Sequence, residues 1–346
     1  MKRWQFWIGI LISAALLYLA LEHQNLGHVW DALITADYWW ILPGVAVYFI
    51  GVFARAWRWH YLLRPLKKIP TLRMFPIVTI GYFGNNVTPA RAGEVLRAYI
   101  LKRHEGVSIS ASLATVIVER VFDAVVMLMF VFLNFGELSR LSGKSVTILG
   151  WSVQQFAVLG TVVAVIVLAI FLGAAMFPFQ TEKLVRLIIE RFLPKRIRQK
   201  TLDLSLRFLT GLESLRSPQE ALMVFITSVV IWLLETGKYW FVMHAFRGLN
   251  LTFFELMLLN GIVNLATTIP SAPGYVGTFD LPSIALLEAY GIAGGTATGY
   301  TLVLHAALWL PITLLGAFYF AKEGFKWENL SGKESALPSE GEPPNG

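Results

Sequence analysis

Cysteine is absent from the 346-residue sequence, and charged side chains make up only 15% of it. Without cysteine there are no disulfides, no thiolate metal ligands and no cysteine nucleophile. The six histidines are scattered, and no pair has the spacing of zinc ligands. The phosphate-binding pattern G-x-x-x-x-G-K-[ST] is missing too, so we expect no hydrolysis of ATP. The sequence therefore predicts no metal and no cofactor.

What remains is the composition of a membrane protein. Hydrophobic residues make up 56% of the chain and the mean hydropathy is +0.60, whereas soluble domains carry roughly 25% charged residues. The net charge is +7, but the basic residues lie between apolar runs, which is typical of membrane topology and not of nucleic-acid binding. These runs recur along the whole length and predict an all-α, polytopic integral membrane protein.

Six apolar segments are long enough to cross about 30 Å of hydrocarbon. They are 4–21, about 38–63, 107–134, 151–177, 218–246 and 297–321. Two further regions, 72–103 and 252–292, are apolar but interrupted by Gly, Pro and Asn. Basic residues crowd the connection after the second span and the amphipathic segment 181–217, so the positive-inside bias predicts that both face the cytoplasm, together with the N-terminus, in a plasma membrane. The connections 22–37 and 135–150 then face outward, and both broken regions must be re-entrant.

The two halves of the chain follow the same order. The first reads span, broken region with GYFGNNVTPARAGE, span, and the second reads span, broken region with GIVNLATTIPSAPG, span. Because the halves begin on opposite sides, the repeat is inverted, and paired broken helices in such repeats predict a transporter site at their interface. The alternative is that Gly and Pro are simply common in membrane helices. The predicted parts are one transmembrane domain 1–326, its first span 4–21, repeat 38–134, connecting region 151–217, repeat 218–321, and a disordered tail 327–346.

The stretch NNVTPARAGEVLRAYI in the first broken region combines a helix breaker with cations. Pro89 ends a helix and Gly93 permits a close turn, so that residues 94–102 form a half-helix. The first N–H groups of such a helix are unpaired and attract anions, and Arg91 and Arg97 would strengthen that site. The alternative is a structural turn at the interface, with both arginines reaching for water.

The span after this region carries three ionisable residues near its middle, Glu119, Arg120 and Asp123. Each costs roughly 2.5–3.5 kcal/mol at the bilayer centre, so they must face the bundle interior and pair. Glu119 and Asp123 are four residues apart and share a helical face. Arg97 or Arg91 is the expected partner, which leaves Arg120 free to bind a substrate. A purely structural ion network is the alternative.

Three other sets of polar residues lie in apolar spans. Arg55 and Arg58 alternate with tryptophans, for which an interfacial aromatic belt with snorkelling arginines is the favoured interpretation. Glu235 and Lys238 are three residues apart and can pair with each other. His305 lies in the middle of the last span, where a buried, hydrogen-bonded histidine is the commoner role.

The second broken region contains TIPSAPGYVGTFD, which offers backbone donors but no cation. Its pocket, near Pro273 and Gly274, is predicted to be neutral and external, whereas the first pocket is charged and cytoplasmic. This asymmetry suits a substrate with a charged head and a lipid body.

The segments PARAGEVLRAYIL, SISASLATVIVERVFD and TIPSAPGYVGTFD, in that order, resemble the membrane domain of lysylphosphatidylglycerol synthases. This flippase-like family also includes stand-alone proteins of unknown activity and relatives tied to dolichol-phosphate-sugar pathways. The resemblance covers about residues 4–321 and implies translocation of lipids, or of lipid-linked groups, between leaflets. It is carried by Pro89, Gly93, Glu94, Arg97, Glu119, Arg120, Asp123, Pro273 and Gly274.

Three departures from this pattern bear on function. Asp280 stands where relatives tend to have a glutamate, and His305 stands where they often have an arginine, so the accepted headgroup can differ. The soluble aminoacyl-transferring domain of the synthases does not follow in this sequence, and we expect no lysyl transfer.

The leading hypothesis is a lipid translocase, not an enzyme, that moves an anionic phospholipid or a polyprenyl-phosphate-linked sugar between leaflets. The candidate substrate-binding residues are Asn86, Arg91, Gly93, Glu94, Arg97, Glu119, Arg120, Asp123, Asn264, Pro273, Gly274 and His305. The arginines would bind phosphate, and the carboxylates would hold them in place or exchange protons.

Two alternatives belong to other classes of protein. One is a membrane enzyme acting on a lipid phosphate, with Glu119 and Asp123 as acid and base or as metal ligands. The other is an accessory subunit that holds a glycosyltransferase or synthase at the membrane, with segment 181–217 as the dock.

Overall fold

The computed structural model describes residues 3–22, 24–88, 92–142, 147–148, 151–269 and 271–323. The described part of the chain is all-helical apart from one pair of two-residue antiparallel strands, β1 (Thr147–Ile148) and β2 (Trp151–Ser152). The predicted all-α class is therefore confirmed. The predicted tail 327–346 lies outside the described residues.

Long helices lie where the apolar runs are. The α-helices of the described residues are α1 (Arg3–Leu21), α2 (Leu26–Ile34), α3 (Ile41–Leu63), α4 (Thr71–Val87), α5 (Ala92–Glu105), α6 (Ile109–Leu133), α7 (Phe135–Ser142), α8 (Val153–Met176), α9 (Pro178–Phe192), α10 (Lys195–Thr210), α11 (Pro218–His244), α12 (Phe253–Ala266), α13 (Asp280–Ala289) and α14 (Gly294–Lys322). Three short 3₁₀ turns, Tyr38–Trp40, Glu213–Arg216 and Pro273–Tyr275, connect some of them. Six helices, α1, α3, α6, α8, α11 and α14, coincide with the six predicted segments.

Three described helices are long and apolar enough to cross a membrane, namely Tyr38–Leu63, Pro218–His244 and Gly294–Lys322. A fourth candidate is the pair Val165–Met176 and Pro178–Phe192, which is bent by 106°. Length and composition thus support three to four spans in the described part of the chain, fewer than the six predicted. In α6 the three central charges lower the apolar character that would identify it as a span.

Glycines bring α3 and α11 together in the most extensive helix pair. An added Cβ at Gly44 would lie 3.4 Å from Phe241 Cβ, and one at Gly51 would lie 3.8 Å from Leu234 Cβ. Helices in a bilayer associate through such close packing, because lipid tails are as apolar as the side chains they would replace. The pair α3–α11 therefore forms a closely packed wall of the helix bundle.

Each broken region folds into two short helices. In the first, α4 and α5 have 17 and 14 residues and pack against each other. In the second, α12 and α13 have 14 and 10 residues and are separated by the turn Pro273–Tyr275. At 1.5 Å per residue each helix is at most about 26 Å long, shorter than the roughly 30 Å of hydrocarbon. The predicted interruptions of both regions are confirmed.

The two halves are packed crosswise. Helix α4 of the first broken region packs against α14, while α12 of the second packs against α6. The short helix that precedes each half shows the same pattern. Helix α2, before the first half, packs on α14 of the second half, and α10, before the second half, packs on α6 of the first half. Gly299 lies close to Ala32 where α14 meets α2, and Gly211 lies close to Ala114 where the end of α10 meets α6.

Two short helices were not predicted. Helix α2 lies in the segment 22–37 that was assigned to a linker, and α7 lies within 135–150. Asn25 caps α2 by accepting the N–H of Gly27 at 2.9 Å. Helices this short are held by packing and capping more than by their own propensity, so the hydropathy pattern gives little sign of them.

The end of α5 is tied to the basic connection between α3 and α4. Lys67 Nζ lies 2.9 Å from Glu105 Oε2 and donates to the Glu105 carbonyl at 2.8 Å. The hydrogen bond from Lys67 is the main cause that lowers the pKa of Glu105 from its usual value. This contact fixes where the first hairpin ends.

We expect Gly93→Ala to destabilise the protein, because α4 and α5 are in close contact at this residue. An added Cβ at Gly93 would lie 2.5 Å from the backbone N of Asn85, and one at Gly84 would lie 2.6 Å from Gly93 Cα. Overpacking of this kind costs about 1–3 kcal/mol, so the thermal unfolding midpoint in detergent should fall.

The matched control is Gly173→Ala in α8, where an added methyl group meets no atom within 4 Å. Alanine is favoured over glycine in a helix by about 0.5–1 kcal/mol, so this variant should unfold at the wild-type temperature or above. Equal midpoints for the two variants would contradict the close contact of α4 and α5.

Candidate functional site

A buried ion network joins α3, α5, α6 and α11. Arg58 Nη1 lies 2.5 Å from Asp123 Oδ1, and Arg97 Nη2 lies 2.5 Å from Glu119 Oε2. The four side chains are between 2% and 7% exposed. Asp123 Oδ1 also accepts the indole N–H of Trp232 at 2.9 Å. Each charge is tolerated in this apolar bundle because an opposite charge lies against it.

Arg120 is paired as well. Its Nε lies 2.9 Å from Glu94 Oε1, and its Nη1 lies 3.5 Å from Asp123 Oδ2. Arg97, one of the two partners expected for the carboxylates of α6, does pair with Glu119, whereas the prediction that Arg120 is left free was wrong. The reason is that Glu94, in the first turn of α5, reaches across to α6. The Arg120 side chain is nevertheless 36% exposed, far more than Arg58 or Arg97.

The snorkelling interpretation of Arg55 and Arg58 was also wrong. Arg58 is 2% exposed, and Arg55 Nη2 lies 3.1 Å from Glu235 Oε2 on α11. Because α3 packs along α11 and contacts α6, its polar face looks into the bundle, where both helices present carboxylates. The side chains of Glu235 and Lys238 pair, as their spacing indicated.

Both broken regions meet at one cavity of about 230 Å³. Its charged lining residues are Arg55, Arg120, Asp123 and Glu235. Its amides and hydroxyl groups come from Asn85, Asn86, Asn264, Thr267 and Thr268. Its aromatic residues are Tyr48, Tyr82, Trp232, Tyr275, Phe279 and Trp309. The sequence predicted a charged pocket and a separate neutral one, but in the structure both broken regions line the same cavity.

The two breaks touch each other through the last helix. The Trp309 indole N–H donates to the Asn86 carbonyl at 3.4 Å, and Asn86 Nδ2 donates to Thr313 Oγ1 at 2.8 Å. Gly274 has a φ of +76°, and an added Cβ there would lie 2.8 Å from Trp309 Nε1. The left-handed backbone and the adjacent indole both require glycine at this position.

His305 fixes the second break to α14. Its Nδ1 lies 2.8 Å from Asp280 Oδ1, and its Nε2 lies 2.7 Å from the Gly274 carbonyl oxygen. The other oxygen of Asp280 accepts the N–H of Gly277 at 2.8 Å. The hydrogen-bonded role expected for His305 is confirmed, and the residue also lines the cavity.

A chain of amides holds α12 to α11. Asn264 Nδ2 donates to Asn260 Oδ1 at 2.6 Å, and Asn260 Nδ2 donates to Thr236 Oγ1 at 3.0 Å. Asn260 and Thr236 are fully buried. Asn264 is thereby held with its side chain at the cavity wall.

A much smaller void of about 10 Å³ lies between α4 and α5, next to Arg120. This is room for a single water molecule. Asn85 Oδ1 and Arg97 Nε are buried there without a hydrogen-bond partner among the described residues. Bound water would satisfy both groups.

The predicted site residues fall into groups. Those that line the large cavity are Asn86, Arg120, Asp123, Asn264, Gly274 and His305. Gly93, Glu94 and Arg97 line the small void instead. Glu119 holds Arg97, and Pro273 begins the turn that contains Gly274. Arg91 lies outside the described residues.

Sequence reasoning missed Arg55 and Glu235 as residues of the cavity wall. Both are ionisable residues within apolar spans, which is itself a signal of a functional or buried site. Within the described part of the chain, no group of three or more His, Asp or Glu side chains is arranged to hold a metal ion.

Comparison with known proteins points to one family. The model of the family described as the lysylphosphatidylglycerol synthase TM region matches residues 6–316. A UPF0104 membrane protein of Methanothermobacter thermautotrophicus is 26% identical, with 92% of this chain and 93% of that protein covered. The UPF0104 membrane protein PH1989 of Pyrococcus horikoshii is 24% identical, with 90% and 96% covered.

A relative of different length is the glycosyltransferase AglD of Haloferax volcanii. It is 25% identical over 89% of this chain, which spans 52% of that protein. The chain thus covers about half the length of that glycosyltransferase.

We expect Arg97→Met to lower the free energy of unfolding by about 3–5 kcal/mol, because it leaves Glu119 as a buried charge without its closest partner. The double variant Arg97→Met/Glu119→Gln removes that charge and should recover much of the loss. Thermal or denaturant unfolding in detergent measures both.

The matched control is the exposed pair Arg186–Glu182 on α9, at 3.0 Å with both side chains about half exposed. Such i, i+4 pairs contribute only about 0.3–0.5 kcal/mol, so Arg186→Met should have little effect. If Arg97→Met is no more costly than this control, the network does not stabilise the bundle.

Proposed function

The chain belongs to the family of the lysylphosphatidylglycerol synthase transmembrane region, and from that premise we propose that it is a lipid translocase. Its substrate is a lipid with an anionic or sugar-bearing headgroup, either a phospholipid or a polyprenyl-phosphate-linked sugar. The headgroup passes between leaflets through the cavity where the two broken regions meet, while the acyl or polyprenyl chains remain in the bilayer.

The proposed topology is an inverted repeat in the plasma membrane, crossed six times by α1, α3, α6, α8, α11 and α14. The hairpins α4–α5 and α12–α13 enter from opposite sides and return. The crosswise packing supports this proposal, since exchanging the two halves converts the contact of α4 with α14 into that of α12 with α6. The N-terminus and the basic helices α9 and α10 then face the cytoplasm.

The observation that carries the proposal is the mixed chemistry of the cavity of about 230 Å³. Arg55 and Arg120 lie on its wall, and Arg55 Nη1 is buried without a hydrogen-bond partner among the described residues. A phosphate oxygen is a suitable acceptor for this donor. The amides and hydroxyl groups of the wall can bind the polar part of a headgroup.

The carboxylates of the network have a positioning role in this proposal. Glu235 holds Arg55, while Glu94 and Asp123 hold Arg120. Because each arginine is already oriented, little side-chain entropy is lost when phosphate binds. The partial neutralisation also keeps the phosphate from binding too tightly to be released.

Catalysis is less well supported than transport. An enzyme acting on a lipid diphosphate needs acidic residues that are free to bind a metal or move a proton. Here Asp123 accepts from Arg58 and Trp232, and Glu119 accepts from Arg97. A metal ion would have to displace a guanidinium group from either residue.

We expect Arg55→Gln and Arg120→Gln to weaken the apparent affinity for the transported lipid by about ten- to hundredfold, since hydrogen bonds to charged groups contribute about 1.5–3 kcal/mol each. Purified protein is reconstituted in vesicles with headgroup-labelled lipids of three kinds: anionic phospholipid, zwitterionic phospholipid and polyprenyl-phosphate sugar. The fraction accessible to an external quencher is followed over time.

Arg186→Gln on α9 is the matched control and should transport as wild type. Arg55→Lys keeps the charge and should recover part of the loss. Elution as a single symmetric peak separates a binding defect from misfolding. Wild-type rates for both cavity variants, with every lipid, would refute the assigned path.

A second candidate function, as the membrane partner of a glycosyltransferase, is favoured by the similarity to a protein named glycosyltransferase AglD. The basic helices α9 and α10 would serve as the docking surface. Affinity purification from native membranes should then yield a glycosyltransferase in stoichiometric amount, and charge reversal at Arg186 should release it. Recovery of lipid alone would favour the translocase.

A further inference from the structure

Both hydrogen bonds of His305 are satisfied at once when the imidazole ring carries two protons. Nδ1 lies 2.8 Å from a carboxylate oxygen of Asp280, and Nε2 lies 2.7 Å from the carbonyl oxygen of Gly274. A carbonyl oxygen only accepts, and an ionised carboxylate only accepts. Neutral imidazole has a single N–H and satisfies one of the two, whereas imidazolium satisfies both.

Asp280 is held as the acceptor in this pair. Its Oδ2 already accepts the N–H of Gly277 at 2.8 Å, and its side chain is 3% exposed. If the shared proton moved from Nδ1 to Oδ1, the pair as a whole would still contain it. The side chains of His305 and Asp280 together therefore bind one proton more than a neutral histidine beside an ionised carboxylate.

We propose that His305 and Asp280 form a proton-binding site that holds the second broken region closed over the cavity, and that loss of the proton opens it. When the proton leaves to water, Asp280 remains ionised and retains the single N–H of the neutral ring. Nε2 is then left with a lone pair that faces the Gly274 carbonyl, and the two acceptors repel. The contact between His305 Nε2 and the Gly274 carbonyl is therefore the one that is lost.

Release of Gly274 affects the cavity because of what this residue touches. It packs against the Trp309 indole, whose N–H donates to the carbonyl of Asn86 at the end of α4. The turn Pro273–Tyr275 therefore contributes Gly274 and Tyr275 to the cavity wall, next to the end of α4. Gly274 has a positive φ and no side chain, and the contact of its carbonyl with His305 joins this turn to α14. Calling this opening a step of transport rests on the proposed function.

Other ionisable groups around the pair come from several helices. Those that share the cavity wall with His305 are Tyr48 and Arg55 of α3, Tyr82 of α4, Arg120 and Asp123 of α6, Glu235 of α11, and Tyr275 of the turn. Their charges are matched, because Arg55 pairs with Glu235 and Arg120 pairs with Asp123. His28 of α2 meets α14 at Gly295, about 15 Å before His305 along the helix. Asp280 is the ionisable group in direct contact with His305 in the described part of the chain.

The absence of cysteine in the sequence allows a direct test. Thr267 is 9% exposed and lines the cavity, so Thr267→Cys introduces one reactive thiol that reports opening. The full-length protein in vesicles is labelled with a water-soluble maleimide between about pH 5 and pH 8, the range in which histidine titrates. The same measurement on Thr267→Cys/His305→Arg corrects for the pH dependence of the thiol, because arginine donates to both acceptors at every pH.

We expect the ratio of the two labelling rates to rise at least about tenfold from low to high pH, since one hydrogen bond to a charged group is lost. His305→Phe, which has no donor, should be labelled faster at low pH than the protein with Thr267→Cys alone, and this variant decides the question if the arginine variant does not fold. A ratio that stays constant, or labelling of the phenylalanine variant that keeps the wild-type pH dependence, would overturn the proton site.

Lipid transport by the unlabelled wild-type protein, in vesicles of the same composition, separates the two proposals. Labelling that depends on pH through His305, with no transport of any lipid, would contradict the translocase and leave the proton site standing. Transport of a lipid together with pH-independent labelling would contradict the proton site and leave the translocase standing.

Discussion

Pairing of opposite charges inside the apolar bundle determines how the central helices of this protein are placed. Arg58 and Arg97 are almost fully buried, and each lies against a carboxylate of α6. Since the bilayer provides no water to replace a missing partner, these contacts fix the relative positions of α3, α5, α6 and α11. The cavity wall is a product of that arrangement. The two arginines of this wall, Arg55 and Arg120, are already oriented by acidic residues.

Much of the fold could be predicted because the signals are long or costly. Runs of about twenty apolar residues identify helices with little ambiguity, and the two interruptions rich in Gly, Pro and Asn lie where α4–α5 and α12–α13 break. Three ionisable residues in the middle of an apolar segment have no place except the interior, so the burial of Glu119 was predictable, and Arg97 was one of the two partners expected for its helical face.

The remainder depends on contacts between distant parts of the chain. Arginine next to tryptophan gives the same local sequence pattern at a membrane–water interface and in a buried contact between helices. Arg58 was therefore assigned to the wrong environment. Its partner Asp123 lies 65 residues away. Glu94 reaches Arg120, 26 residues further along the chain, because α5 packs against α6. The single cavity arises from the crosswise packing of the two halves, which no local spacing reveals.

That crosswise packing has a consequence for biogenesis. Helix α4 finds its packing surface on α14, the last helix of the described chain. At about 5–20 residues per second, roughly ten to forty seconds of synthesis separate the end of α5 at Glu105 from the end of α14 at Lys322. During that interval the first hairpin, with its polar residues, has to be sheltered by the insertion machinery or by a chaperone of the membrane. A ribosome that stalls before α14 would leave an orphaned half, recognisable to quality-control proteases by the polar groups it leaves uncovered.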